Sequence, residues 1–394
     1  MQVVPTRQRT SCYDRPSSVR KSVQQQNLGD IVESAIVEKR TLELKKTFQH
    51  KVPTGVLGFD LGANQDELFL ACVDGVHRFQ ANDGQAELLY SHNSYASSVA
   101  MLGDQCTIVS AGYDGRLKWF DLEQKQIRRE VHAHQFWSWE MVASPDRTRL
   151  ASVTGQYIAG DYKYAPAPET EPSVKVFDAV TGEHQWTFSH VPSVQSVAFS
   201  PDGQHLAAAN IMGEVRIWNL ESGELTANWT TEDFTSWGII KSHCYLGGIF
   251  ALSFSPDGSE IFAAGMGPMR DPMAGNGRQL WQRFAWQENP VRKVDEIKSG
   301  QHGEGLMETL AVCSVNRLFV MGGRLRGGDW NAAVFDLDTG EKLAHLNTGF
   351  RMTHARFSAD GSQLIVAGCN GQGKPEDGKF RPWGVVETYD VTLS

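Results

Sequence analysis

Ser193–Leu225 reads SVQSVAFSPDGQHLAAANIMGEVRIWNLESGEL, and its punctuation decides the fold. Ser193 to Phe199 alternates small or polar with apolar side chains, the two-residue period of a half-buried strand. Ser200-Pro201-Asp202-Gly203 then reverses the chain: proline presets φ, aspartate bonds its own backbone, and glycine takes a positive φ. His205 to Ala209 is a second short strand. Gly213-Glu214 turns into a third, with Val215, Ile217 and Leu220 around Arg216 and Trp218. Ser222-Gly223-Glu224 turns into a fourth, Leu225 to Trp229. Four short strands with tight turns make one antiparallel sheet, which cannot bury both faces alone and needs neighbours stacked on it.

The same punctuation recurs. ASPD stands at 143–146, FSPDG at 254–258 and FSADG at 357–361; KWFDL, KVFDA and AVFDL repeat the third strand. In FSPDG and VRIWNL the stretch resembles the WD-repeat β-propeller family, with Trp218-Asn219 in place of the usual closing Trp-Asp pair. The resemblance covers residues 41–393 and implies an all-β propeller of seven four-stranded blades. The seventh unit lacks a fourth strand of its own. TLELKKTF at 41–48 alternates as a strand, and the expectation is that it completes that blade and closes the ring, removing exposed sheet edges.

The family also implies a buried hydrogen-bonded set of histidine, serine, turn aspartate and strand tryptophan. Its matching residues here are His92, Ser110, Asp114 and Trp119. The role is structural, because a buried imidazole and indole N–H need partners. Other units keep fragments: His50 with Asp74, and His190 with Trp218.

Composition bounds the rest. The 394 residues carry a net charge of -9, with 41% hydrophobic and 21% charged side chains, as in a globular chain. The acidic balance makes nucleic acid an unlikely partner, and no apolar run is long enough to span a bilayer. Six scattered cysteines without a CxxC pair point to neither disulfide framework nor zinc cluster; Cys72, Cys106 and Cys313 read as small buried hydrophobes. Residues 1–30, basic and poor in large apolar side chains, read as a disordered arm, leaving 31–394 for the propeller. No signal-peptide core follows Met1, so a cytoplasmic setting is expected.

Insertions fall unevenly. Loops between first and second strands, and between third and fourth, are short. Gly155 to Pro172, Met266 to Arg278, Arg324 to Trp330 and Cys369 to Pro382 join second to third strands, and Thr231 to Gly247 joins two blades. In an antiparallel blade these two loop types emerge on one face, which makes that face the expected docking surface. Tyr162, Trp237, Arg270, Arg326, Trp330 and Trp383 are its candidate anchors, of the types enriched at binding hot spots.

Enzymatic readings weigh less. GxSxG and P-loop patterns are absent. A metal site or acid–base centre at the channel mouth would draw on His134, with His132 beside it at i,i+2, and on His243, Asp271, His302 and Glu304; the histidines are better explained as blade-entrance residues. Phe136, Trp137 and Trp139 stand at the mouth of a first strand, where core packing competes with a ligand wall. The resulting expectation is a non-catalytic protein- or peptide-binding scaffold, a monomeric module within a complex, with no cofactor and no metal. The rival is an enzyme or small-ligand binder at the channel mouth.

Overall fold

The structure is a computed structural model. It describes residues 40–394 except 65, 157–167, 235–247, 272–275 and 372–380, and only the backbone at 269–271, 276 and 325–326. The basic arm expected over residues 1–30 lies outside the described residues.

The repeat at Ser193–Leu225 forms the sheet its sequence implies. Its strands are Val194–Phe199, His205–Asn210, Glu214–Asn219 and Leu225–Thr230, antiparallel in that order. At the first turn Ser200 Oγ donates to Asp202 Oδ1 at 2.5 Å, the Gln204 N–H donates to the same carboxylate at 3.0 Å, and Gly203 takes φ 69°. Ser144–Asp146, Ser255–Asp257 and Ser358–Asp360 repeat this turn.

Three more four-stranded sheets share the order. The first holds Val56–Leu61, Glu67–Cys72, Gly75–Gln80 and Ala86–Tyr90; the second Ala96–Met101, Thr107–Gly112, Arg116–Asp121 and Gln126–His132; the third Glu140–Ala143, Arg149–Val153, Val174–Asp178 and His184–Phe188. The repeat is the fourth. The terminal sheet joins Arg351–Phe357, Gln363–Cys369 and Gly384–Leu393 to the N-terminal strand Leu42–Val52. That strand is longer than expected and pairs from Leu42↔Leu393 to Val52↔Gly384. Lys46 donates to the buried Glu387 carboxylate at 2.5 Å, while Leu42 and Leu44 pack on the core below.

Between the fourth and terminal sheets, seven separate blades are not what is seen. One eight-stranded sheet runs from Gly248–Phe254 to Lys342–Leu346, so five four-stranded sheets stand apart rather than seven. The cause is strand length. Ile261–Asp271, Asn276–Ala285, Glu304–Cys313 and Leu318–Gly327 outgrow the short strands of a plain repeat, and a bridge at Arg278↔Glu304 links the two halves. Most of the loop expected from Met266 to Arg278 is therefore ladder.

Buried apolar clusters lie between consecutive sheets. One joins the first and second sheets through Phe69, Tyr90, Ile108 and Phe120. Others join the second to the third, the third to the fourth, and the fourth to the eight-stranded sheet around Phe262, Trp281 and Phe319. Cys313, Val334 and Tyr389 share a cluster across the eight-stranded and terminal sheets, and Val56, Phe79, Ile365 and Val386 share one across the terminal and first. Alternating strands thus bury both sheet faces, as the two-residue period requires.

Candidate functional site

The inner strands Val56–Leu61, Ala96–Met101, Glu140–Ala143, Val194–Phe199, Gly248–Phe254, Glu304–Cys313 and Arg351–Phe357 line one central channel of ≈ 750 Å³. Their C-terminal ends reach the face of the short turns. There Asp60, 2% exposed, accepts Arg147 Nη1 at 2.7 Å, the Arg356 guanidinium, and the backbone N–H of Leu61 and Met101 at 2.8 and 3.0 Å. Two cations and two N–H donors offset the cost of burying that carboxylate.

The opposite mouth lies at the N-terminal ends of the inner strands, beside the turn from second to third strand that carries Tyr113. Tyr113, from the turn between second and third strands of its sheet, stacks on Trp137 at 4.6 Å, and Trp137 on Phe136 at 5.1 Å. Trp139 stands edge-on to Trp137 at 5.2 Å, and Tyr95 leans on Tyr113 at 5.7 Å. Tyr95 and Trp137 remain 45% and 40% exposed. Arg351 donates twice to Glu308 across the same mouth, at 2.6 Å from Nε. Deeper in, burial pushes the Glu140 carboxyl up to about 7 although it accepts the Val197 N–H at 2.8 Å. Burial also pulls His354 down to about 4, its ring edge-on to Phe59 at 4.9 Å.

Of the expected anchors, Trp330 is not available. It is 3% exposed in the core beside Phe335, with Lys342 over its ring at 5.3 Å. A large indole at the foot of a third strand finds apolar contacts inward, and burial wins. Trp383 is half-buried and lies over Gly55, where a Cβ would meet its ring at 2.5 Å. Arg270 and Arg326 fall on strands with only the backbone described, and Tyr162 and Trp237 lie outside the described residues.

The polar set of the second sheet is a connected chain. Tyr90 Oη donates to Ser110 Oγ at 2.9 Å, Ser110 meets His92 Nε2 at 2.7 Å, and His92 Nδ1 meets Asp114 Oδ1 at 3.0 Å. The order assigns the ring proton to Nδ1. Burial raises the Asp114 carboxyl, but hydrogen bonds from His92 and from the Asn93 and Arg116 N–H groups outweigh it and leave it at about 2. Trp119 stands outside this chain. Its indole N–H donates to Ala179 O of the third sheet at 2.6 Å, a contact between sheets that a single-repeat reading does not contain.

The fragments in other sheets pair differently. His50 Nε2 meets Ala81 O at 3.0 Å rather than Asp74, which takes Thr54 Oγ1 at 2.6 Å and His77 Nε2 at 2.8 Å. His190 meets Ala208 O at 3.2 Å with its ring 6.1 Å from Trp218.

The rival channel-mouth centre does not assemble among the described residues. His134 is buried against Ser152 Oγ at 2.9 Å, and burial drives it down to about 3, while His132 is exposed, so the i,i+2 pair does not share one environment. Glu304 lies in the bridge to Arg278, and His302, His134 and Glu304 do not come within ligand distance of one another. His243 and the Asp271 side chain lie outside the described residues. Sequence reasoning passed over Asp60, Tyr113 and Arg351; their only signal was polar or aromatic character at inward positions of first strands or in the adjoining turn.

The family model of the anaphase-promoting complex subunit 4 WD40 domain matches residues 174–264. Telomerase protein component 1 of Mus musculus is 28% identical over 130 residues, 33% of this chain and 4% of that protein. The U3 small nucleolar RNA-associated protein 4 homolog of Mus musculus is 24% identical over 229 residues, 57% of this chain and 30% of that protein. The serine-threonine kinase receptor-associated protein of Gallus gallus is 25% identical over 274 residues, 61% of this chain and 69% of that protein. This chain therefore spans less than a third of the two mouse proteins. Antiparallel sheets stacked around one channel, the recurring serine–aspartate turns and these matches agree: the chain is an all-β propeller similar in sequence to WD-repeat proteins.

Proposed function

We propose that the chain is a non-catalytic docking scaffold that takes a protein or peptide partner on the face of the long connections. The observation that carries this is the exposed aromatic group of Tyr95 and Trp137 on a stacked base at the channel mouth of that face. Exposed aromatic rings held rigidly by their neighbours cost little entropy on binding and bury much area. Tyr113 of a second-to-third-strand turn and Trp137 ahead of a first strand stand at this mouth, whereas the opposite end carries the satisfied Asp60–arginine cluster.

In the same reading the disc has seven blades. The eight-stranded sheet counts as two, its ladders linked at the Arg278↔Glu304 bridge, and Leu42–Val52 supplies the outer strand that closes the ring. Inner strands from seven four-strand units lining one channel support this count. A nucleic-acid partner is not set aside by net charge, since one relative is named for association with a small nucleolar RNA. Among the described residues no helix is long and apolar enough to cross a membrane.

The test is cross-linking mass spectrometry of the full chain in native extract, beside a Tyr95→Ala/Trp137→Ala variant. Partner cross-links on the long-connection face, lost in the variant at unchanged thermal stability, are expected. Cross-links confined to the short-turn face or outer strands, or binding unchanged in the variant, would overturn the reading.

A further inference from the structure

The first sheet carries a second polar cluster at its hairpin turn. Cys72 ends the strand Glu67–Cys72, Asp74 sits in the turn, and His77 lies in the strand Gly75–Gln80. The register pairs Leu70 with His77 and Cys72 with Gly75, so the thiol and imidazole are diagonal neighbours on one face of the ladder. The ligand atoms of all three lie within 4.8 Å of one another, alone among the described residues. Cys72 is fully buried, His77 is 2% exposed, and the Asp74 side chain, 36% exposed, opens the cluster to solvent.

We propose that Cys72, Asp74 and His77 form a site for a divalent transition-metal ion, zinc being the closest match in donor chemistry. The inference is independent of the docking reading. One thiolate, one imidazole and one carboxylate form the borderline set that suits zinc, and three protein donors leave a fourth position for water. Thiolate and carboxylate together neutralise a divalent ion, which a largely buried site requires. Binding displaces one proton, from the Cys72 thiol, and the His77 Nε2–Asp74 separation of 2.8 Å opens by roughly 0.5–1 Å to reach tetrahedral spacing.

One detail favours a ligand over a plain hydrogen-bonded turn. Thr54 Oγ1 holds the Asp74 carboxylate at 2.6 Å, the outer contact that orients a metal ligand. The sequence signal is C-x-D-x-x-H, which lacks a second cysteine and so escapes the usual zinc spacings.

The experiment is titration of the reduced, chelator-treated full chain with Co²⁺, followed by displacement with Zn²⁺. One equivalent of cobalt with a thiolate-to-cobalt charge-transfer band in the near ultraviolet is expected. The band disappears in Cys72→Ala and persists in Cys106→Ser. Asp74→Asn and His77→Phe each weaken zinc binding by at least about tenfold. No thiolate band in the unaltered chain overturns the proposal without any variant having to fold. A band surviving in Cys72→Ala overturns it equally.

Discussion

Ala71-Cys72-Val73-Asp74-Gly75 and Ala111-Gly112-Tyr113-Asp114-Gly115 are the same hairpin turn in neighbouring sheets, each with an aspartate held by an imidazole. In the second sheet the imidazole is His92, which arrives from the connection before the sheet, and glycine makes room for it. A Cβ on Gly112 would lie 2.4 Å from His92 Nδ1. In the first sheet Cys72 holds that place in the strand, and the imidazole comes from within the hairpin at His77. One turn became a closed chain of hydrogen bonds reaching Tyr90. The other kept a thiol, an open carboxylate and an unpartnered ring nitrogen. A fully connected network rigidifies its turn; an incompletely paired one leaves a buried polar atom uncompensated.

The largest effect should come from cutting the closed network. His92→Ala removes the shared partner of Ser110 and Asp114 and leaves a buried hole, so urea denaturation should show a loss of about 3 kcal/mol. His77→Ala also leaves a buried hole, but its aspartate keeps Thr54 and solvent, so it should lose about 2 kcal/mol. Equal losses would break the comparison. Adding volume sharpens it: Gly112→Ala drives a methyl against the His92 ring and should cost about 2 kcal/mol by overpacking. Cys72→Ala, in the sheet already built for a side chain there, should cost less than half as much.

Much of this was legible in the sequence, and the parts that were not share a cause. Serine–aspartate turns and two-residue alternation act within one repeat, so the sheet order could be read from residues near one another in the chain, while the His92–Ser110–Asp114 chain came from the family resemblance those turns carry. Contacts between sheets could not. Trp119 resembles a member of the local set, yet its N–H is taken by Ala179 of the next sheet. Trp330 looks like a loop aromatic, yet the eight-stranded sheet grows past it and encloses it. The merging of two expected blades depends on strand extension at Arg278↔Glu304, a pairing with no local signature. Of the candidate anchors, Trp330 alone is seen buried, because side chains of long connections have no periodicity to place them.

The smallest effect separates the two turns by acid. Burial raises both aspartates, but hydrogen bonds hold Asp114 at about 2 and leave Asp74 below the usual range, chiefly through His77 and Thr54. A carboxylate whose folded pKa is depressed stabilises the fold above its unfolded pKa, and that contribution fades as pH falls toward the folded value. The stability gap between the unaltered chain and Asp114→Asn should therefore be constant from pH 7 to about 4 and narrow between about 4 and 2. The gap for Asp74→Asn should close in the same direction from a smaller starting value, because its carboxylate is partly solvated. Denaturation curves from pH 7 down to the acid limit would read both. A larger gap at Asp74 would mean that the open turn, not the closed one, carries the greater electrostatic load, and the contrast drawn between the two sheets would reverse.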